Sequence, residues 1–208
     1  MKVFGALLSP FVRKVALVAV EKGLDWDHVI INRKAPDPDF ALASPFGKIP
    51  AIKDGDYTLA DSSAIVCYLD TKHPMPRLIP ADAEGLGRAL WFDEVADAIL
   101  GTAGTKVLFN RFVGPKILKV AGDEAVARQG EAELPPILAY IESATPESGW
   151  LLGSDFSIAD ISLASMFRTL GYVDLEPDAT THPRLAAWYD RVRARPSWQV
   201  VDEMEKRR

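Results

Sequence analysis

Residues 44–66, SPFGKIPAIKDGDYTLADSSAIV, decide how the chain folds. An apolar run that begins at Pro50 is followed by the turn signal DG at 54–55 and by a second short run at Tyr57, which is typical of a β-hairpin. Proline is tolerated at the first position of a strand, where no ladder hydrogen bond is lost. The triplet DSS at 61–63 then precedes an apolar run, which marks a helix N-terminus that favours an anion. The stretch predicts a strand edge and an anion-ready helix start, between which a peptide with a carboxylate could be held.

The sequence before this stretch alternates strand and helix signals. Serine suits the N-cap and proline the first helical position, so Ser9-Pro10 predicts a helix start, and Gly23 predicts its end. The expected elements are strands at 2–7 and 26–31, the hairpin, and helices at 9–22, 39–43 and 62–72. A helix between two strands implies a parallel pair with a right-handed crossover. This β-α-β-α-β-β-α order matches a thioredoxin-like fold, which we assign to residues 1–73.

The second half of the chain predicts helices only. Three prolines between residues 74 and 80 end the preceding helix, so residues 74–83 are expected to be a stiff linker. Residues 84–208 are expected to form an all-helical domain. The expected helices are 84–100, a bent region at 105–119, 123–141 with a kink at Pro135-Pro136, 157–171, 183–195 and 198–205. Ser157 and Asp160 form a capping-box pattern, to which we assign a structural role.

Composition and charge exclude several classes of function. The 208 residues carry a net charge of −5, which argues against a nucleic-acid partner. No apolar run approaches the roughly 20 residues of a membrane span, and the apolar N-terminus is broken after Leu8, so no membrane partner and a cytoplasmic location are expected. The single cysteine, Cys67, excludes an internal disulfide and is expected to be a buried small hydrophobe. The three histidines are scattered, so no metal site is expected.

The sequence SPFGKIPAI at 44–52, followed by LADSSAI at 59–65, resembles the glutathione-binding segment of the glutathione transferases. The resemblance covers essentially the full length and implies a homodimeric detoxification enzyme with a thioredoxin-like and a helical-bundle domain. Glutathione is then the co-substrate, with no metal. In this family the proline matching Pro50 is cis, and the backbone of the preceding residue, here Ile49, pairs with the cysteinyl part of glutathione. The residues matching Asp61 and Ser62 hold the γ-glutamyl end, although the family more often has Glu or Gln in place of Asp61.

The glutathione thiol should titrate near the roughly 8.5 of free cysteine, so a catalyst must favour the thiolate. Ser9 lies between the first strand and the first helix, and its hydroxyl can donate a hydrogen bond to sulfur. The resemblance implies that Ser9 is the thiol-activating residue of the serine-type transferases. No tyrosine stands at the earlier positions, Phe4 and Gly5, where tyrosine-type transferases carry theirs. From the sequence features alone, Ser9 could instead only cap the helix.

The remaining candidate residues follow from charge and position. The glutathione-binding set is expected to be Phe11, Lys34, Lys48, Ile49, Pro50, Asp61 and Ser62. Because glutathione is a net anion, Lys48 is the best candidate for its glycyl carboxylate, and Lys34 is a weaker one. Arg13 could support the site or lie on a solvated face, and these alternatives stay open.

A second-substrate pocket is expected between the two domains, where ligand clefts commonly form. Its candidate lining is Leu8, Lys106, Phe109 and Phe112. Phe109 and Phe112 are three residues apart and could instead be core. Asp93 and Asp97 could reach the partner's glutathione in a dimer, or could simply be solvated.

Two functions from different classes are consistent with the sequence. The favoured one is a glutathione transferase in which Ser9 stabilises the thiolate for attack on an electrophilic, mostly apolar substrate. Isomerisation, peroxide reduction and dehalogenation are related outcomes on the same site. The alternative is a non-catalytic relative that binds glutathione or hydrophobic ligands, or serves as an interaction module.

Overall fold

A computed structural model of the chain describes residues 1–32, 35 and 37–207. These residues form two compact units, one made of Met1–Asp82 with Ala194–Arg208 and the other of Ala83–Arg193. The strands are β1 Lys2–Phe4, β2 Asp27–Val29, β3 Ala51–Asp54 and β4 Tyr57–Ala60. The α-helices are α1 Pro10–Glu21, α2 Pro38–Ala43, α3 Ser62–Lys72, α4 Ala83–Glu94, α5 Gly101–Leu108, α6 Glu124–Ala144, α7 Ile158–Leu170, α8 Pro183–Arg193 and α9 Pro196–Lys206.

The first unit is built on a four-stranded sheet in the order β2-β1-β3-β4. β1 is parallel to β2 and antiparallel to β3, and β3 is antiparallel to β4. Val3, Phe4, Ala51 and Ile52 are fully buried in the middle of the sheet. The predicted thioredoxin-like fold is confirmed. β1 is shorter than predicted because Gly5 takes a φ of +131°, which a strand residue does not adopt.

The second unit is all helical around α7, twelve of whose thirteen residues are buried. The Asp160 carboxylate accepts hydrogen bonds from the backbone N–H groups of Leu151 and Ser157, at 2.9 and 3.1 Å. It also accepts one from the indole N–H of Trp188 at 2.8 Å. Asp160 therefore has the structural role predicted for it, because its carboxylate joins the start of α7 to Trp188 of α8 and to the turn at Leu151.

The helical stretch 83–118 differs from its prediction. Between α4 and α5, and again after α5, the helix widens into π-helical segments, Val95–Leu100 and Phe109–Leu118. Residues 101–104 were expected to interrupt the helical stretches 84–100 and 105–119, but Gly101 and Gly104 both lie inside α5. A Cβ on Gly104 would come within 2.6 Å of the Leu170 side chain, so the glycine permits close packing against α7. Helix α6 likewise continues past Pro135-Pro136 to Ala144.

Helix α9 lies with the first unit, whereas the sequence grouped residues 84–208 together. Charged side chains of α1 pair with it, as described below. The expected boundaries at residues 73 and 84 stay a prediction. Within the described ranges, no helix is long and apolar enough to cross a bilayer.

Cys67 is exposed, so its expected burial is wrong. The buried stripe of α3 runs through Ser62, Ile65, Val66, Leu69 and Asp70. Cys67 lies two residues after Ile65, which places it about 200° around the helix, on the opposite face.

Candidate active site

The strand register brings three candidate segments to one edge of the sheet. Phe4 pairs with Ala51, and Ala51 pairs with Ala60. Gly5 follows Phe4 and Asp61 follows Ala60, so these two residues lie on either side of Pro50, which precedes Ala51. The three segments are the loop that leads to Ser9, the proline-led start of β3 and the N-terminus of α3.

Gly5 packs closely at this edge. An added Cβ would lie 2.5 Å from Val12 Cγ2 and 2.9 Å from Ile49 Cβ. The loop from Gly5 to Ser9 therefore passes directly against both helix α1 and the residue before Pro50. Sequence reasoning used Gly5 only as a position that lacks a tyrosine and missed this contact.

Ser9 stands at the N-cap position of α1 with an extended backbone, φ −71° and ψ 127°. Its backbone N–H donates to the Ala6 carbonyl at 2.9 Å, and its own carbonyl accepts from the Arg13 N–H at 3.0 Å. Its side chain makes no capping hydrogen bond, and the residue is half-buried. Ser9 is therefore the N-cap residue by its backbone, but its hydroxyl does not cap α1 in this structure. The hydroxyl lies at the positive end of the helix dipole and is not used by the helix.

The segment before β3 is held by a local hydrogen bond. Ser44 Oγ donates to the Lys48 carbonyl at 2.6 Å. The Ile49–Pro50 peptide bond is cis, as the resemblance implies. Lys48 is exposed, and within the described residues no carboxylate lies in ion-pair distance of its ammonium group.

Helix α3 begins with Asp61 as its N-cap. The residue has a φ of +80°, and its Oδ1 accepts a hydrogen bond from the Ala64 N–H at 3.0 Å. Ser62 is therefore the first helical residue and not the cap, so the alternative that Ser62 only caps the helix is wrong. Asp61 is exposed and Ser62 is buried. The second carboxylate oxygen of Asp61 is not part of the capping bond.

A buried lysine that the sequence reasoning missed lies behind this helix start. Lys14, in the second turn of α1, is only 1% exposed, and its Nζ lies 3.5 Å from Ser63 Oγ. Its charge adds to the positive end of the α3 dipole. The one signal in the sequence was its place inside an otherwise apolar helical run.

Arg13 is fully buried, so the alternative of a solvated face is wrong. Its Nη1 lies 2.7 Å from Asp202 Oδ1, and its Nη2 pairs with the Glu205 carboxylate. The guanidinium also lies over the Trp198 ring, 5.2 Å from the centroid. All three partners belong to α9.

The residues expected for the second substrate fall in both units, and each is described in its own. Leu8 is half-buried in the first unit. Lys106 donates to both carboxylate oxygens of Glu133, at 2.6 and 2.8 Å, and thereby lowers the pKa of that carboxyl. Phe109 is 41% exposed, so it is not a core residue. The half-buried Phe112 lies 4.7 Å from Tyr172 between ring centroids.

The last three candidate residues are Lys34, Asp93 and Asp97. Lys34 lies outside the described residues. Asp93 is 5% exposed and accepts a hydrogen bond from Ser162 of its own chain, so its carboxylate is not presented to a partner. Asp97 is half-buried. In the described part of the chain, no group of three or more His, Cys, Asp and Glu residues is arranged to hold a metal ion.

Comparisons with known proteins identify the family. The profile described as "Glutathione S-transferase, N-terminal domain" matches residues 3–77, and that described as "Glutathione S-transferase, C-terminal domain" matches residues 123–191. Glutathione S-transferase 3 of Zea mays is 32% identical over 205 residues, which is 96% of this chain and 91% of that protein.

Solved structures agree with these matches. A glutathione S-transferase-I bound with lactoylglutathione superposes with a TM-score of 0.85 at 27% identity, over 98% of each chain. A glutathione S-transferase from Rhodospirillum rubrum superposes with a TM-score of 0.86 at 27% identity, over 96% of this chain and 90% of that one. The chain is thus a two-unit protein of the thioredoxin-like, glutathione-dependent class. It belongs to the glutathione S-transferase family and is an enzyme that transfers groups to glutathione.

Proposed function

We propose that Ser9 stabilises the glutathione thiolate for attack on an electrophilic, mostly apolar substrate. The observation that carries this proposal is the Ser9 hydroxyl, which stands at the N-terminus of α1 without a capping hydrogen bond. A hydroxyl that the helix does not use is available to donate to a sulfur anion. The thiol proton leaves to solvent, the sulfur forms a bond to the electrophilic carbon, and the leaving group departs with its electron pair.

The size of the effect follows from the interactions available to the sulfur. A hydrogen bond to a charged group contributes about 1.5–3 kcal/mol, and one pKa unit corresponds to 1.36 kcal/mol. A hydroxyl donor would therefore lower the thiol pKa by roughly 1–2 units from the roughly 8.5 of free cysteine. The positive end of α1 adds about 0.3–1 kcal/mol in the same direction.

The rest of glutathione is assigned along the same edge of the sheet. The γ-glutamyl end is placed at the N-terminus of α3, with Asp61 facing the ammonium and Ser62 the carboxylate. The cysteinyl backbone is placed along Ile49, at the start of β3. The exposed ammonium of Lys48 is assigned to the glycyl carboxylate. Phe11 and Lys34 complete the proposed set, the latter outside the described residues.

The electrophile is assigned to apolar and aromatic surface. In the helical unit, the rings of Phe109 and Phe112 are open to solvent in part, which supports a role in holding an apolar molecule. The Lys106 ammonium is already paired with Glu133, so we expect it to shape this region and not to carry charge to the substrate.

Exposed apolar side chains support a homodimer. Phe46 is 89% exposed, and Leu90, Trp91 and Tyr140 are each about two-fifths exposed. Trp91 and Tyr140 lie side by side, 6.2 Å apart between ring centroids, and adjacent exposed apolar side chains often mark an interface between subunits. Sedimentation at micromolar concentration should give twice the mass of the chain, and a monomer would contradict the proposal. The single cysteine supports a reducing compartment, the cytoplasm.

The Ser9→Ala variant tests the proposed mechanism. A thiol pKa that is higher by roughly 1–2 units leaves about 8- to 25-fold less thiolate at pH 7, so kcat at that pH should fall by about the same factor. Because the donor acts on the ionised sulfur, the Kd for glutathione should rise by no more than about fourfold. Ser154→Ala, which removes a hydroxyl from an exposed loop, is the control and should leave both constants unchanged. An unchanged kcat in Ser9→Ala, measured with an activated aryl halide, would refute the role of Ser9.

A further inference from the structure

Helix α9 is tied to both ends of α1. At the end of α1, Glu21 accepts two hydrogen bonds from Arg195, both at 2.8 Å. At its start, Arg13 pairs with Asp202 and Glu205. Because the first residues of α9 meet the last turn of α1, and the last residues meet the first turn, the two helices run antiparallel. Residues more than 170 positions apart thus fix the helix that presents Ser9.

The first turn of α1 has no cap of its own. Pro10 suits the first helical position, but the Ser9 hydroxyl makes no capping bond and the first turn contains no acidic residue. A helix end without these partners tends to fray. The backbone bond that closes the turn joins the Arg13 N–H to the Ser9 carbonyl at 3.0 Å. Arg13 is therefore joined to Ser9 through its backbone and to α9 through its side chain.

Stability alone does not account for this arrangement. The Arg13 side chain is fully buried, and the Glu205 side chain is 7% exposed. Within the described residues, the buried Arg13 Nε has no hydrogen-bond partner. Apolar side chains of similar volume are often as stable as a buried ion pair or more so. What a guanidinium adds is direction, because its planar fork binds two carboxylates in one geometry and stacks on an aromatic ring such as Trp198.

We propose that Arg13 is a positioning residue for the Ser9 hydroxyl, held by Asp202 and Glu205 of α9. Its role rests on the proposed function of Ser9. The ion pair keeps the uncapped first turn of α1 in one conformation, so that the hydroxyl points at the bound sulfur. The C-terminal helix α9 is thereby required for the reaction.

The test compares the two ends of α1. Arg13→Met removes the tie beside Ser9, and Asp202→Asn removes one of its two carboxylates. Arg195→Met is the matched control: it removes two hydrogen bonds to Glu21 at the far end and leaves the one from Ser197. Each variant is saturated with glutathione at 25 °C, and the bound thiolate is measured by its ultraviolet absorbance at pH 7. The melting temperature, kcat and KM are measured in parallel, and Ser9→Ala is included in every series.

We expect Arg13→Met to lose most of the bound thiolate and to lower kcat at least tenfold. Asp202→Asn, which retains the Glu205 pair, should lower kcat about two- to fivefold. Arg195→Met should lower the melting temperature but leave the thiolate fraction and kcat within twofold of the wild type. Asp202 is 23% exposed and is one of two carboxylates on Arg13, so we expect Asp202→Asn to fold and to carry the test if Arg13→Met does not fold.

Three results would overturn the assignment of Arg13. The first is a wild-type thiolate fraction and kcat in Asp202→Asn, and the second is the same result in folded Arg13→Met. The third is a loss of thiolate and kcat in Arg195→Met equal to that in Arg13→Met. Each would show that the ion pairs between α1 and α9 only stabilise the fold. These results are distinct from failure of the proposed function, in which Ser9→Ala itself would leave the bound thiolate unchanged.

Discussion

Replacing Gly5 with alanine should separate the geometry of the site from the general stability of the fold. Gly5 has a φ of +131°, and an added Cβ would lie 2.5 Å from Val12 Cγ2 and 2.9 Å from Ile49 Cβ. The backbone strain costs about 1–3 kcal/mol, and overpacking costs about 1–3 kcal/mol more. Gly5→Ala should therefore lower the free energy of unfolding by about 2–6 kcal/mol, although a shift of the Ile49 side chain would reduce this value.

Gly23→Ala is the matched control. Gly23 also has a positive φ, +61°, but nothing lies within 4 Å of an added Cβ. Its cost should be about 1–2 kcal/mol of backbone strain, less about 0.4–1 kcal/mol gained by restricting the unfolded chain. At about 2–4 °C per kcal/mol for a chain of this size, thermal melts should show a loss of roughly 4–24 °C for Gly5→Ala and only a few degrees for Gly23→Ala.

Activity provides the second measurement. Gly5 begins the loop that ends at Ser9 and lies against Ile49, so a displacement there moves two parts of the proposed site. A misplacement of about 1 Å can reduce a rate about 10²-fold, and we expect the folded Gly5→Ala protein to lose at least tenfold in kcat at 25 °C. Equal melting temperatures for the two variants, or full activity in Gly5→Ala, would refute the assembly of the site around this glycine.

Three further predictions concern elements around the site. Hydrogen bonds from the ammonium groups of Lys2 and then Lys53 lower the pKa of Asp39. The ionised carboxylate therefore stabilises the fold above the ordinary carboxyl pKa of about 3.9, and this stabilisation is lost as the pH falls through the lowered pKa. Asp39→Asn should melt at a lower temperature than the wild type at pH 7, and the difference should vanish in acid. Asp160→Ala removes the acceptor of four hydrogen bonds and should cost about 3–5 kcal/mol in urea unfolding, whereas an effect below about 1 kcal/mol would contradict the role of this carboxylate. Lys22→Met removes a fully buried ammonium that pairs with the buried Asp70 carboxylate at 2.7 Å. The free energy of unfolding should also fall by about 3–5 kcal/mol, and a wild-type melting temperature would contradict this prediction.

The local elements of the first unit could be predicted because their signals are local. Helix α3 begins at Ser62 and ends at Lys72, as expected from the polar residues before it and from the break at His73-Pro74. The hairpin was predicted from its turn, and its first strand begins one residue later than expected, at Ala51. The three segments of the candidate site are the ends of these predicted elements, and pairing of the strands brings the segments to one edge of the sheet.

The parts that could not be predicted depend on contacts between distant residues. The two carboxylates that pair with Arg13 lie 189 and 192 positions away in the sequence, and no local sequence pattern predicts ion pairs over that separation. Lys14 follows Arg13 in a helix whose other residues are mostly apolar, and this position alone does not show that its side chain is buried beside α3. Whether the Ser9 hydroxyl caps its helix also depends on the path of the loop from Gly5. Cys67 was misplaced because its apolar neighbours in sequence lie on the other face of α3.

The most direct test of the central claim is a pH titration of the thiolate absorbance of glutathione bound to the wild-type protein. A hydrogen bond from Ser9 predicts an apparent thiol pKa roughly 1–2 units below the roughly 8.5 of free cysteine, and a return most of the way to that value in Ser9→Ala. A bound thiol that titrates like free glutathione, or one whose lowered pKa survives in Ser9→Ala, would contradict the claim that this hydroxyl activates the sulfur.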